Sequence, residues 1–574
     1  MPAEVYIASV GLTKVDLTGG VFGSVFDLFG EAYRLALRDS PVRSFDAVQI
    51  GVMCSEEFEG RANIAAKVAD RLGLTGIPAV RTETASSTGA AAFHEAYYKI
   101  ASGRCQSVLV LAGERMKTVT TERATAIMSK TVDPVERRFG FTMPALIALV
   151  TQAWLRERKI RGELVPEAFS RLMARAHAFG AENPLAAFYG RPEPQETYFD
   201  REKNLPVATP LLRKDCSPIC DGAAAVILTA RPQAVRVAGL GSATDTSSIL
   251  DREELSGLAA TRQAMRVACW QAGIPDPTEL EGLVVEAHDA FNSLLPINLA
   301  DLGLVAPDEA VEALVGSLRR RPPHPFDNPV TGPAGRLPVN LSGGLKARGH
   351  PVGGTGLFQI AENYLQITGR FPNPRARVKG ARIGLAHSIG GPGNNVYVTL
   401  VEAADSRRQR QPVPHPRTRF TSDTEGGRRT ALTELHGSRA VVEAATTIHV
   451  TGQSGRGPVH VALLRIDGRR VFAKLDHPVD ADRAPPAEVL AGERVRLLVK
   501  GDGDHYFQLE RRRGFDLGRT LRALRRRAAA RREPGRPAPT DPQGPRDTGP
   551  ESDAGEDGTG GGAREPRPEE ETES

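Results

Sequence analysis

The chain has 574 residues, 40% of them apolar and 25% charged, with a net charge of +5; at roughly 150 residues per domain, that length predicts three or four globular units rather than one core. No charged leader precedes an apolar segment and no apolar run reaches the roughly 18 residues of a membrane span, so a cytoplasmic location is expected and secretion or membrane spanning is not. Five scattered cysteines exclude a disulfide framework, Cys216 and Cys220 lack a second ligand pair for zinc, and the small net charge does not point to nucleic acid.

Apolar patterning predicts strands over residues 5–10, 47–53, 79–82 and 107–113, with helices over 21–38 and 90–101 between them. Residues 114–207 turn to charged and aromatic helical and loop segments, an insertion of the kind that covers a binding site, and a strand over 223–228 closes this half. The order then repeats: strand 235–240, helix 261–272, strand 282–286, a glycine-rich stretch with a helix over 357–365, and strand 381–385. Two halves of like order, residues 1–232 and 233–402, predict a duplicated α/β fold.

A linker over 403–416 leads to residues 417–510, where four strands (440–450, 459–466, 470–475 and 493–500) predict a small all-β domain able to fold by itself. Residues 511–574 begin as an arginine-rich segment and end in a Pro-, Gly- and acid-rich tail, expected to be disordered.

Chemistry concentrates in residues 340–356, where His350 stands between two glycine clusters just ahead of a helix. Glycine lets backbone approach a ligand closely, and N–H groups around residues 353–356 are expected to point toward whatever His350 touches. Taken alone, Gly349-His350-Pro351 is also a plain turn. The motif resembles the Gly-His-Pro signature of the thiolase superfamily, and the resemblance runs from about Glu4 to Val401. It implies the duplicated five-layered αβαβα fold, a homodimer, an acyl-CoA thioester as substrate with no further cofactor, and His350 as general acid or base beside the thioester.

Other family positions are matched with changes. Where thiolases carry a nucleophilic cysteine in Cys-Ala-Ser-Gly, this chain reads Ser86-Ser87-Thr88-Gly89, so Ser86 takes the nucleophile position. A helix dipole worth about one or two kcal/mol does not turn a hydroxyl into an alkoxide, and Ser86 would need strong base assistance. The second family cysteine is replaced by Ser388, beside His387 and ahead of Gly390-Gly391; Gly349, Gly390 and Gly391 are the expected substrate-facing glycines. His288-Asp289-Ala290-Phe291 is similar to the His-Asp-Cys-Phe of the sterol-carrier-protein thiolases and their archaeal relatives, which implies that His288 holds a water or the thioester oxygen.

The all-β domain resembles the OB-fold half of acyl-CoA-associated proteins that partner thiolase-like enzymes, without their zinc ribbon, and implies docking, acyl-CoA access or a partner subunit rather than nucleic-acid binding. Three functions stay open: an acyltransferase making or breaking a C–C bond next to a thioester, a retro-aldol lyase of β-hydroxyacyl-CoA such as a steroid side chain, and a non-catalytic acyl-CoA-binding scaffold.

Overall fold

The computed structural model describes residues 3–320, 324, 326, 331–332, 335–406, 408–416, 435–449, 459–475, 490–499 and 505–509, the backbone alone at 331–332 and 335–336. The arginine-rich segment, the acidic tail and the first residues of the all-β domain lie outside the described residues.

The first half contains β1 (Tyr6–Leu12), α1 (Val25–Arg38), β2 (Ala47–Gly51), α2 (Ser55–Glu59), α3 (Ile64–Arg71), β3 (Ala79–Thr82), α4 (Thr88–Ala101) and β4 (Ser107–Arg115). Ser24 caps α1 by accepting from Asp27 N, and Val25, Leu28, Phe29, Ala32 and Ala36 form its buried face at helical spacing. The insertion carries α5 (Thr121–Met128), α6 (Pro134–Arg138), α7 (Met143–Glu157), α8 (Leu164–Glu182) and a hairpin, β5 (Pro206–Ala208) with β6 (Leu211–Leu212), before β7 (Asp221–Thr229). The second half follows: β8 (Val235–Thr244), α9 (Ala259–Ala272), β9 (Leu283–Glu286), α10 (Leu294–Asp301), α11 (Ala310–Val315), β10 (Thr331–Gly332), β11 (Gly335–Arg336), α12 (Gly344–Ala347), α13 (Thr355–Ile367), β12 (Ile383–Gly390) and β13 (Asn395–Ala403).

Pairing reveals the duplication strand by strand. In the first half the order β1-β7-β4-β2-β3 runs antiparallel, antiparallel, parallel, parallel. In the second, β8-β13-β12-β9 repeats the first three relations, and the fourth survives as one parallel bridge between Val285 and Val339. Tyr6 and Ile7 pair with Arg236 and Val235, which joins the halves into one nine-stranded sheet. Helices α4 and α13 pack on each other between the halves, α1 covers the first half outside and α9 the second, giving the layers αβαβα.

Outer helices press on equivalent strands in both halves. A Cβ on Gly11 of β1 would lie 2.2 Å from Ala32 O of α1, and one on Gly241 of β8 would lie 1.8 Å from Ala264 O of α9. Only a bare backbone lets the helices sit so close.

Among the described residues, five strands follow toward the C-terminus: β14 (Arg439–Ile448), β15 (Val459–Ile466), β16 (Arg469–Leu475), β17 (Arg494–Val499) and β18 (His505–Leu509). They close into a ring in the order β14-β15-β16-β18-β17-β14, compatible with the small barrel expected from sequence. Its own core holds Val442, Leu464, Val471 and Phe507. A second buried face, with Ile448, Leu463 and Phe472, belongs to the same apolar cluster as Trp154 and Leu146 of α7, so the barrel is seated on the insertion. Among the described residues no helix is long and apolar enough to cross a membrane.

Several elements differ from the sequence reading. The strand expected to end at Leu385 continues to Gly390 and so contains His387 and Ser388. Both β13 and β18 were passed over, and the β5–β6 hairpin starts at the very end of residues 114–207, read as helix and loop, and runs past it. Gly11→Ala and Gly241→Ala should each destabilise the protein by about 1–3 kcal/mol or more through overpacking; Gly20→Ala, whose Cβ would meet only Thr18 Oγ1 at 3.7 Å, should not. Urea denaturation of the three variants checks this.

Candidate active site

His350 sits in the turn between α12 and α13, with Gly349 at φ +113°. A Cβ there would stand 2.6 Å from Val15 Cγ1 and 3.2 Å from Cys220 Sγ, so the turn needs glycine for both conformation and space. His350 N donates to Cys220 Sγ at 3.1 Å. The side chain is fixed by Thr355, whose Oγ1 lies 2.7 Å from His350 Nδ1 and donates to Pro351 O at 3.0 Å. With the hydroxyl proton given to Pro351 O, which also takes Gly354 N and Thr355 N, Thr355 accepts from Nδ1–H. That leaves Nε2 of His350 as the bare nitrogen.

His288 is fixed in the opposite sense. Ile389 N donates to its Nδ1 at 3.3 Å, which makes Nδ1 the unprotonated nitrogen and Nε2 the N–H. The two rings meet edge to face, 5.2 Å between centroids and 88° between planes. Neither Nε2 has a hydrogen-bond partner among the described residues. Burial, with the Arg348 guanidinium nearby, pulls the His350 imidazole down to about 3. Burial first, then His350, His387 and Arg348, holds His288 well below its usual value. At neutral pH the pair is therefore one uncharged base and one uncharged donor.

Both segments are pinned from behind. The Asn340 side chain accepts from Ala287 N at 2.7 Å and donates to Ala287 O at 3.0 Å, while Asn298 Nδ2 donates to His288 O at 2.6 Å. Arg348, fully buried, donates to Gly349 O at 2.9 Å, meets Glu362 of α13 at 3.0 Å and lies 4.8 Å above the Phe358 ring. Ser342 Oγ donates to Glu286 at 2.8 Å, and Leu345 N donates to Asp289 at 2.6 Å. Burial and then Glu362 push Glu286 well above its ordinary range.

Ser86 lies 9% exposed at the start of α4, directly after Ala85, which takes φ +54°. That is a strained conformation for a residue with a side chain, costing on the order of 1–3 kcal/mol. No acid or base among the described residues hydrogen-bonds the Ser86 hydroxyl. Its neighbours lock the turn instead, Ser87 Oγ donating to Thr84 O at 2.7 Å and Thr88 Oγ1 to Ala85 O at 2.6 Å. The end of β12 abuts this turn: a Cβ on Gly390 would lie 2.2 Å from Thr84 O. Gly391 takes φ +58° in the turn that follows. Ser388 Oγ is buried without a partner, and a Cβ on Gly356 would come 2.9 Å from it. His387 turns to the other side of the strand, 3.1 Å from Thr261 of α9.

The expectation that N–H groups of residues 353–356 aim at the site does not hold for the first three. Gly353 N bonds the Glu114 carboxylate, and Gly354 N and Thr355 N both donate to Pro351 O. Glu114 also accepts from Met53 N at 2.8 Å and Cys54 N at 3.1 Å, and burial raises it to about 7. Sequence reasoning passed over Glu114, Thr355, Asn340 and Arg348. Only Thr355 carried a signal, a hydroxyl one turn beyond Pro351 at the start of a helix. Among the described residues no cluster of three or more histidines, cysteines or carboxylates is arranged to hold a metal ion.

Comparison with known proteins bears on this arrangement. Residues 5–157 match the family described as thiolase, N-terminal domain, and residues 241–403 that described as thiolase C-terminal domain-like. The acetyl-CoA acetyltransferase of Methanothermobacter thermautotrophicus is 32% identical over 407 residues, 69% of this chain and 99% of that protein. A monomeric SCP2-thiolase like protein type 1 from Mycobacterium smegmatis shares the fold with a TM-score of 0.62 at 17% identity, over 88% of this chain and 99% of that one. The Ltp2-ChsH2(DUF35) aldolase gives a TM-score of 0.56 at 20% identity, over 71% and 99%. This chain belongs to the thiolase family.

The depressed imidazole has a consequence for stability. As pH falls below about 6.5 the unfolded chain binds a proton at residue 350 that the folded chain refuses until about pH 3, so this group's contribution is complete above 6.5 and is lost on acidification. Taking the protein from pH 7 to pH 5 should cost it about 2 kcal/mol more than it costs His350→Gln. Equal losses in urea denaturation would indicate an imidazole that titrates normally.

Proposed function

We propose that the protein is a lyase that splits the Cα–Cβ bond of a β-hydroxyacyl-CoA thioester without an acyl-enzyme. The observation that carries this reading is the contrast between the two Nδ1 atoms, one against the Thr355 hydroxyl and the other accepting from Ile389 N. Bare Nε2 of His350 takes the β-hydroxyl proton, the Cα–Cβ bond breaks, and a carbonyl product leaves. The electron pair passes into the thioester as an enolate whose oxygen accepts from Nε2–H of His288. Return of the proton from His350 to Cα gives the shortened acyl-CoA, and the base is regenerated. Nothing in this cycle asks Ser86 to become an alkoxide. The word aldolase in the name of one structural relative is in keeping with it.

A second reading is acyl transfer through Ser86, favoured by the strained backbone at Ala85 and by the acetyltransferase name of the archaeal relative. In that case Ser86 attacks the thioester and the same histidines handle the protons. The two readings rank variants differently. With a panel of acyl-CoA thioesters, His350→Ala should lose about two to four orders of magnitude of rate and Ser86→Ala little. An inactive Ser86→Ala, whether or not His350→Ala is also inactive, would contradict the lyase and favour acyl transfer. Binding of several thioesters without turnover of any would leave a scaffold.

We also propose self-association along β3, a sheet-edge strand with Val80 exposed and Tyr98 of α4 exposed near it. The OB-like barrel then serves the acyl-CoA site or a partner subunit. A dimer mass by light scattering at micromolar concentration is expected; a monomer, the state named for the M. smegmatis relative, would contradict it.

A further inference from the structure

A short route of hydrogen bonds leads from the C-terminal barrel to both histidines. The end of β14 lies against the β5–β6 hairpin, where Ile448 pairs with Ala208. Thr209 N donates to Thr447 O at 3.2 Å, His449 N to Val207 O at 3.0 Å, and Thr446 Oγ1 to Thr209 O at 3.0 Å. Gln152 of α7 stitches the same seam, donating to Thr209 O at 3.1 Å and accepting from Ala445 N at 3.3 Å. A two-stranded hairpin this short has little stability alone; β14 gives it a third strand.

From the hairpin the chain runs straight into residues 213–220, which touch each histidine segment in turn. The fully buried Asp215 carboxylate accepts from Leu212 N and Tyr198 Oη, both at 2.8 Å, and from Asn292 Nδ2 at 3.1 Å, while Asp215 O accepts from Asn292 N at 2.9 Å. Ser217 N donates to Ala290 O at 2.8 Å, beside a bridge between Cys216 and Phe291. Cys220 Sγ then takes the His350 backbone N–H. Residues 206–220 are thus held at one end by the barrel and at the other by the turn that carries the base.

We infer that the barrel is a positioning element of the two-histidine site, acting through the strap of residues 206–220. The effect on rate rests on the reading above, in which the histidines act on a thioester; the mechanical coupling belongs to the fold. Undocking the barrel exposes an edge of the hairpin, loosens the hold of Asp215 on Asn292, and gives play to the segments bearing His288 and His350. A misplacement of about 1 Å in a reacting group can cost on the order of a hundredfold in rate, so little play is needed.

The test uses the full chain. Gln152→Met removes the two seam hydrogen bonds that Gln152 makes, at nearly constant volume, and Phe472→Leu thins the ring contacts to Phe141 at 4.6 Å and Phe139 at 5.9 Å. Val471→Ala, inside the barrel's own core, is the control. Hydrogen–deuterium exchange by mass spectrometry is read on peptides covering 206–220, 286–292 and 349–355. Both seam variants should speed exchange about tenfold over 213–220 and 286–292, while the control leaves those peptides unchanged; on any substrate that turns over, kcat should fall with little change in KM. Faster exchange confined to the barrel and hairpin, or no change in either seam variant, would overturn the inference. Exchange needs no substrate, so a chain that turns over no acyl-CoA refutes the functional reading while this result stands by itself.

Discussion

Thr355 has one hydroxyl proton, and it goes to Pro351 O. Because that proton is committed, His350 must present Nδ1–H to Thr355, and its other nitrogen is left basic. The threonine is the first residue of α13, the helix that also supplies Phe358 and Glu362 to hold Arg348. Central packing and the protonation state of the base therefore share one helix. Ile389 N does the converse for His288 from the end of β12, so the two elements that end at the site assign one ring the role of acceptor and the other that of donor.

Burial favours the neutral form of both imidazoles, and the buried Arg348 cation beside them adds to it. Arg348 and Arg175 face Glu286, Glu362 and Asp289, all buried. Burial, then the neighbouring Glu362, raises Glu286 well above its ordinary range, and burial raises Glu362 to about 7 and Asp289 to about 6, so these three carboxyls share the two guanidinium groups. Such a cluster contributes little net stability, and removing a single member leaves a charge uncompensated. Its placement is what matters here: Glu286 and Asp289 flank His288, and Arg348 stands two residues before His350. These groups hold the backbone of both histidine segments, Arg348 through Gly349 O and Asp289 through Leu345 N.

Much of this was legible in the sequence because it follows from periodicity and motif. Strands such as Ser107–Arg115, buried almost throughout, announce themselves as apolar runs, and Gly-His-Pro marked the turn that carries His350. What escaped was set by distant partners. Glu114 reads as an ordinary charged residue after a strand until Met53, Cys54 and Gly353 are folded around its carboxylate. The β5–β6 hairpin, with strands of three and two residues, has too little pattern to be read, and it exists as a strand pair because a barrel more than two hundred residues later completes it. The N–H groups of residues 353–355 were expected to serve a ligand, but a tight turn around Pro351 and the Glu114 carboxylate consume them. Ser86 and Ser388 were found by their place in the family motifs, and among the described residues the Ser86 hydroxyl meets no base and the Ser388 hydroxyl has no hydrogen-bond partner.

The central claim is that two neutral histidines suffice and that no acyl group is carried by the protein. The most direct measurement is the intact mass of the enzyme, quenched during steady-state turnover of a β-hydroxyacyl-CoA thioester, with products identified in the same quench. The account predicts unmodified protein together with a free aldehyde or ketone and a shortened acyl-CoA. A mass increase equal to the acyl group, mapped to Ser86, would contradict it.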